Sequence, residues 1–218
     1  MMRKLMSDRI SLLNRDLLNM ASLVEKQIYD SMTALKEQDI ILADKIIKND
    51  DKVDDMQKNI EEKCVKFMAT ESPVAKDLRR IYTTSKIVTD LERMADHAVD
   101  ICKIVKRLNG VSFVEEILPI WRMGDIIIEM IKLSIEAYIN GDVDAAYEIC
   151  RMDDSVDTIH QGMFESVLKK MGKDETVINQ GTQILFISKY IERVGDHVTN
   201  ICEWIIFSKK GTYIDLNE

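Results

Sequence analysis

The stretch Asp90–Cys102, DLERMADHAVDIC, returns as Tyr190–Cys202, YIERVGDHVTNIC. Glu92, Arg93, Asp96, His97, Ile101 and Cys102 reappear at a constant offset of 100 residues as Glu192, Arg193, Asp196, His197, Ile201 and Cys202. One ExxxD on a solvated helix says little, but two in one register with matched flanks mark an internal repeat. The fold therefore has to be built from two like units. Both copies carry apolar residues three and four apart, which is the amphipathic helix pattern. With only 8 Gly and 2 Pro in 218 residues, interruptions are few and the helices are long. The expected fold is all-α, and the 46% of hydrophobic residues suffice for its core.

Thirty Lys and Arg against 38 Asp and Glu leave a net charge of −8. That disfavours unspecific binding to nucleic acid or anionic lipid, and leaves metal ions or basic protein surfaces as the natural partners. The start, MMRKLMSDRISLLNRDLLNM, has charges throughout, so it reads as neither secretion signal nor membrane span, and no later segment is apolar enough for insertion. Cys64, Cys102, Cys150 and Cys202 lack CxxC spacing and sit inside helical patterns. They are expected to be reduced thiols in a cytoplasmic protein.

In chain order, the apolar residues from Ile10 to Leu35 define helix one over Met6–Lys36. Asp39 is placed to cap a second helix reaching about Ala69. Ser72-Pro73 reads as the start of helix three, which runs to Asn109 and Gly110. Helix four follows Pro119 and reaches Ile139, and Asn140-Gly141-Asp142 makes a stop and a cap. Helix five continues to about Met171, and Gly172 and Asp174 repeat the device before helix six, which ends near Lys209. The pattern predicts two tandem antiparallel three-helix bundles, residues 1–110 and 111–218, related by duplication. The joint at 108–116 is short and apolar, so the halves should pack together, and the last eight or nine residues read as a tail.

Residues four apart on a helix share a side, so Glu92 and Asp96 form an acidic row that Asp100 extends. Helix two offers Asp50 and Asp54, and helix five offers Asp153 and Asp157 at an offset of 103. The matching row on helix six is Glu192, Asp196 and Asn200, one charge fewer. Two antiparallel helices with paired carboxylates could gather four anionic groups around one point, and so many like charges cannot stay ionised together without a cation. Oxygen ligands favour hard ions: magnesium, calcium, manganese or ferric iron, with zinc also accepted. By helical angle Glu92 and Asp96 lie about 100° and about 140° from the inner stripe, so the site belongs to a helix edge and not to a buried di-iron bundle. His97 and His197 lie about 100° round the helix from the aspartates and are expected to flank the rows. The bland alternative is a solvated face with modest ion pairs. Nothing resembles a nucleophile with an adjacent base, a phosphate-cradling glycine loop or a cofactor fingerprint, which argues against an enzyme. A metal-dependent enzyme or a metal store on the same rows is the other reading of the carboxylates.

With ERMADHAVDIC, ERVGDHVTNIC and the run SPVAKDLR at Ser72–Arg79, the chain resembles the PhoU family over nearly its whole length. The resemblance implies a cytoplasmic negative regulator of the phosphate response that stands between a phosphate ABC transporter and a sensor histidine kinase. It also implies a homodimer and multinuclear iron or zinc clusters. These would sit on Asp50, Asp54, Glu92 and Asp96, with Asp100 nearby, and on Asp153, Asp157, Glu192 and Asp196, with Asn200 in place of the last aspartate.

Overall fold

Asp39 accepts a hydrogen bond from the Leu42 amide (2.9 Å), and Gln38 before it turns left-handed (φ 53°), so one helix stops and another starts within two residues. These facts come from a computed structural model that describes residues 2–216, with side chains described for Met6 and from Asp8 onward. Its helices are α1 (Met2–Glu37), α2 (Ile40–Asn49), α3 (Asp51–Glu71), α4 (Ala75–Arg107), α5 (Pro119–Asn140), α6 (Val143–Met171) and α7 (Ile178–Lys210). The architecture is two three-helix bundles, with α2 and α3 serving together as the second leg of the first.

That second leg departs from the single helix expected. At Asp50 the ladder tightens: the Val53 amide reaches the Asp50 carbonyl at 2.8 Å, while the Asp54 amide stays at 3.4 Å. α6, the corresponding leg of the second half, runs unbroken. Ser72 also departs from expectation. It does not cap α4 but ends α3 in the left-handed region (φ 44°), and α4 opens at Ala75 behind Val74. The proline ring that follows disfavours a right-handed helical conformation at Ser72, so the serine closes a helix instead of opening one. Gly141 (φ 64°) and Asp142, which accepts from the Ala145 amide, form the expected stop and cap. Gly172 stays right-handed; Asp174 caps a single 3₁₀ turn at Glu175–Val177 and α7 begins after it.

α4 and α7 pack along each other as the central seam, with α1, α2 and α3 against α4 and α5 and α6 against α7. Leu91, Met94 and Ile101 of α4 and Ile191, Val194, Val198 and Ile201 of α7 belong to one apolar core that crosses both halves. The joint is held from each side by a glutamine. Gln38 donates to the Val111 carbonyl (2.6 Å) and accepts from the Gly110 amide, and Gln180 donates to the Ser112 carbonyl (2.7 Å) and accepts from the Val114 amide. The expected tail is not free over its described part, since Tyr213 stacks on Phe207 and the Leu216 amide donates to Glu203. Residues 217–218 lie outside the described chain. Among the described residues the four cysteines are free thiols, three of them buried, and no helix is long and apolar enough to cross a membrane.

Candidate functional site

The antiparallel packing of α3 on α4 and of α6 on α7 brings the acidic rows together in pairs. In the first half, burial and then Asp96 and Asp54 push the Asp50 carboxyl up to about 6, and burial followed by Asp96 raises Glu92. In the second half, burial and then Asp157 push Asp153 up to about 7. Burial and Glu192 likewise raise both Asp157 and Asp196. Each cluster therefore holds the four carboxylates that the sequence pairs.

The fifth residue of each row does something else. Asp100 is bound by Lys103 Nζ at 2.8 Å. Asn200 donates to Asp90 Oδ1 (3.2 Å). The same Asp90 oxygen accepts the Nδ1–H of His197 at 3.0 Å. His97 sits opposite, its ring stacked on Tyr190 and 5.8 Å from that of His197. Burial and then His197 hold its imidazole down at about 4, and its Nδ1 is buried with no hydrogen-bond partner among the described residues. The two histidines thus join the halves across the α4–α7 seam between the clusters.

Sequence identity hid the residues that make the clusters unlike. Asp153 is 8% exposed, and its Oδ2 accepts from Thr199 Oγ1 at 3.1 Å. Its Oδ1 is buried with no donor among the described residues, pressed against α7 where a Cβ on Gly195 would stand 2.2 Å away. The matching positions on α4 are Ala95 and Val99, which supply neither the space nor the hydroxyl, and Asp50 remains half-buried. Their signal was present in the two aligned motifs as Ala95 against Gly195 and Val99 against Thr199.

A family model for the PhoU domain matches the chain twice, over residues 17–105 and 120–205. The chain belongs to the PhoU domain family. It is 49% identical over 219 residues to the phosphate-specific transport system accessory protein PhoU homolog of Clostridium acetobutylicum, covering all of both chains. With the PhoU accessory protein of Escherichia coli it shares 33% identity over 89% of this chain and 80% of that one. The fold superposes on the crystal structure of PhoU from Pseudomonas aeruginosa with a TM-score of 0.91 at 30% identity, covering 94% of this chain and 99% of that one. The phosphate transport system regulatory protein PhoU from Streptococcus pneumoniae gives a TM-score of 0.91 at 28% identity, with 96% and 99% covered.

A buried acceptor with no donor, among carboxylates that raise one another's pKa, is a place for protons or for a cation. The all-oxygen donor set of each cluster fits a hard ion. Among the described residues, no three His, Cys, Asp or Glu side chains converge tightly enough to grip one ion in the rotamers seen. Binding then requires the more exposed carboxylates of each cluster to leave these rotamers and close on the more buried ones.

Proposed function

We propose that this chain lowers phosphate uptake and phosphate-starvation signalling as an adaptor between a phosphate ABC transporter and a sensor histidine kinase. It works in the cytoplasm as a homodimer and not as an enzyme. The observation that carries this reading is the match of the PhoU domain model to both halves, with like acidic clusters at corresponding places on α3/α4 and α6/α7. Relatives named for a phosphate transport system, alike over their full length, support the transporter side. The negative sign, the kinase and the dimer rest on the resemblance carried by the doubled ExxxD motifs.

The proposal includes metal. Asp50, Asp54, Glu92 and Asp96 would hold one group of ions, and Asp153, Asp157, Glu192 and Asp196 the other, with iron or zinc first in line and manganese or magnesium also fitting the oxygen donors. A bound cation there neutralises the clustered charge and offers open coordination positions toward a partner's acidic or phosphorylated groups. The chain's own residues set its position: Thr199 and Lys189 fix the orientation of Asp153 and Glu192, and Arg93 holds Asp96. Deleting the gene tests the regulatory reading. Starvation-gene expression should rise in phosphate-rich medium, and unchanged expression would overturn it.

A further inference from the structure

Away from the carboxylate clusters, where α1 begins, α3 turns into α4, and α5 and α7 finish, lies a cleft of about 750 Å³. That is the size of a small-molecule site. Arg80 on its wall precedes Glu92 by twelve residues, or roughly 18 Å along α4, so the cleft is separate from the first cluster. The SPVAKDLR run, which the regulatory reading leaves without a task, forms part of its rim.

Of the described residues, three cations from two helices line the cleft: Lys76 and Arg80, one turn apart on α4, and Lys209 at the end of α7. Among the described residues none of them has a carboxylate within ion-pair distance. Two acids share the lining. Arg9 already holds Glu71 at 2.7 Å, which leaves Asp77. Among the described residues and counting Arg9, four cations meet two carboxylates, a surplus of two positive charges in a chain whose net charge is −8. Val74, at the head of α4, provides no side-chain cap, so the first amides of a 33-residue helix add their partial positive charge to this rim. Asn14 Oδ1 is buried at the wall and has no donor among the described residues. Ile10, Tyr138 and Ile139 add apolar surface to the lining.

We propose that the cleft binds a phosphorylated small molecule. Its phosphoryl group sits on Lys76, Arg80 and Lys209, a hydroxyl or amine of the ligand donates to Asn14 Oδ1, and its carbon skeleton lies against Ile10 and Ile139. A phosphate monoester carries close to two negative charges at neutral pH and so matches the surplus, which a single carboxylate does not. The guanidinium fork of Arg80 suits two phosphoryl oxygens at once. This inference stands whether or not the carboxylate clusters take metal.

Calorimetric titration of the full-length protein at low ionic strength, with AMP, ATP, inorganic phosphate and adenosine, tests it. AMP or ATP should bind saturably and more tightly than adenosine. Arg80→Gln and Lys209→Gln should each weaken binding about tenfold or more, and Lys58→Gln, an exposed charge on α3, should leave it unchanged. If inorganic phosphate competes with AMP, the free ion shares the subsite; if it does not, the organic ester is the ligand. Absence of binding by all three phosphates, adenosine binding as tightly as AMP, or an equal loss in Lys58→Gln would overturn the proposal. Should Arg80→Gln fail to fold, Lys209→Gln decides, because that side chain is exposed.

Discussion

The two acidic clusters come from one motif yet have different interiors. On α6 and α7, Gly195 makes room for the Asp153 carboxyl and Thr199 binds one of its oxygens, so the group is buried and held. On α3 and α4 the Ala95 methyl and the Val99 side chain stand at those places, the leg breaks at Asp50, and the carboxyl stays half-buried. Duplication kept the four carboxylates of each cluster and changed the small residues behind them. Fixing a carboxylate in advance removes part of the cost of ordering it, so the second cluster should hold a cation more tightly than the first.

The strongest way to break this comparison is Gly195→Ala. Its methyl would meet Asp153 Oδ1 at 2.2 Å and Ile127 Cδ1 at 3.3 Å. Overpacking of this kind costs about 2–3 kcal/mol, or roughly 5–10 °C in melting temperature. The reverse change in the first half, Ala95→Gly, should cost only the helix-propensity loss of about 1 kcal/mol. Equal drops in thermal unfolding would mean that the two interiors are alike.

The next test is pH, in protein stripped of metal. Asp153 and Asp50 have folded pKa values raised above the ordinary 3.8, to about 7 and about 6. The folded chain therefore binds their protons more tightly than the unfolded chain does. Their contribution to stability is full below about pH 4 and is lost as pH climbs through about 6 for Asp50 and about 7 for Asp153. The stripped protein should be more stable at pH 5 than at pH 8. Asp153→Asn should recover about 2 kcal/mol at pH 8, and Asp50→Asn less. A larger recovery from Asp50→Asn would reverse the ranking.

Smaller effects sharpen the picture. Thr199→Val removes the hydroxyl that favours the charged form of Asp153. It should cost about 1 kcal/mol at pH 8 and less at pH 5, as chemical denaturation at the two pH values would read. Smallest of all, Lys189→Ala and Lys103→Ala each remove a part-exposed ion pair, with Glu192 and Asp100 respectively. Each should cost about 0.5 kcal/mol, the former more because Glu192 is the less exposed acid (14% against 33%). Equal losses would remove that distinction.

Much of the fold was legible because helix periodicity and caps are local signals. Asp39, Gly141 and Asp142 act where their chemistry places them. Ser72-Pro73 misled because the same pair that opens a helix also ends the one before it, and only the geometry of α3 decides between them. The four carboxylates of each cluster were readable from the doubled spacing. Asp90 was not, because its partners His197 and Asn200 lie more than a hundred positions away and no periodicity links them. Gly195 and Thr199 were visible only as differences between two copies, and differences carry meaning once the neighbour across the helix pair is known.

The most direct measurement is metal content by mass spectrometry after dialysis against graded chelator, on the parent protein, on Glu92→Ala with Asp96→Ala, and on Glu192→Ala with Asp196→Ala. The account predicts bound metal in the parent. It also predicts that the variant lacking the first row keeps its remaining metal to higher chelator concentration than the variant lacking the second. Equal, near-zero metal in all three would contradict the account and leave the rows as a charged docking surface.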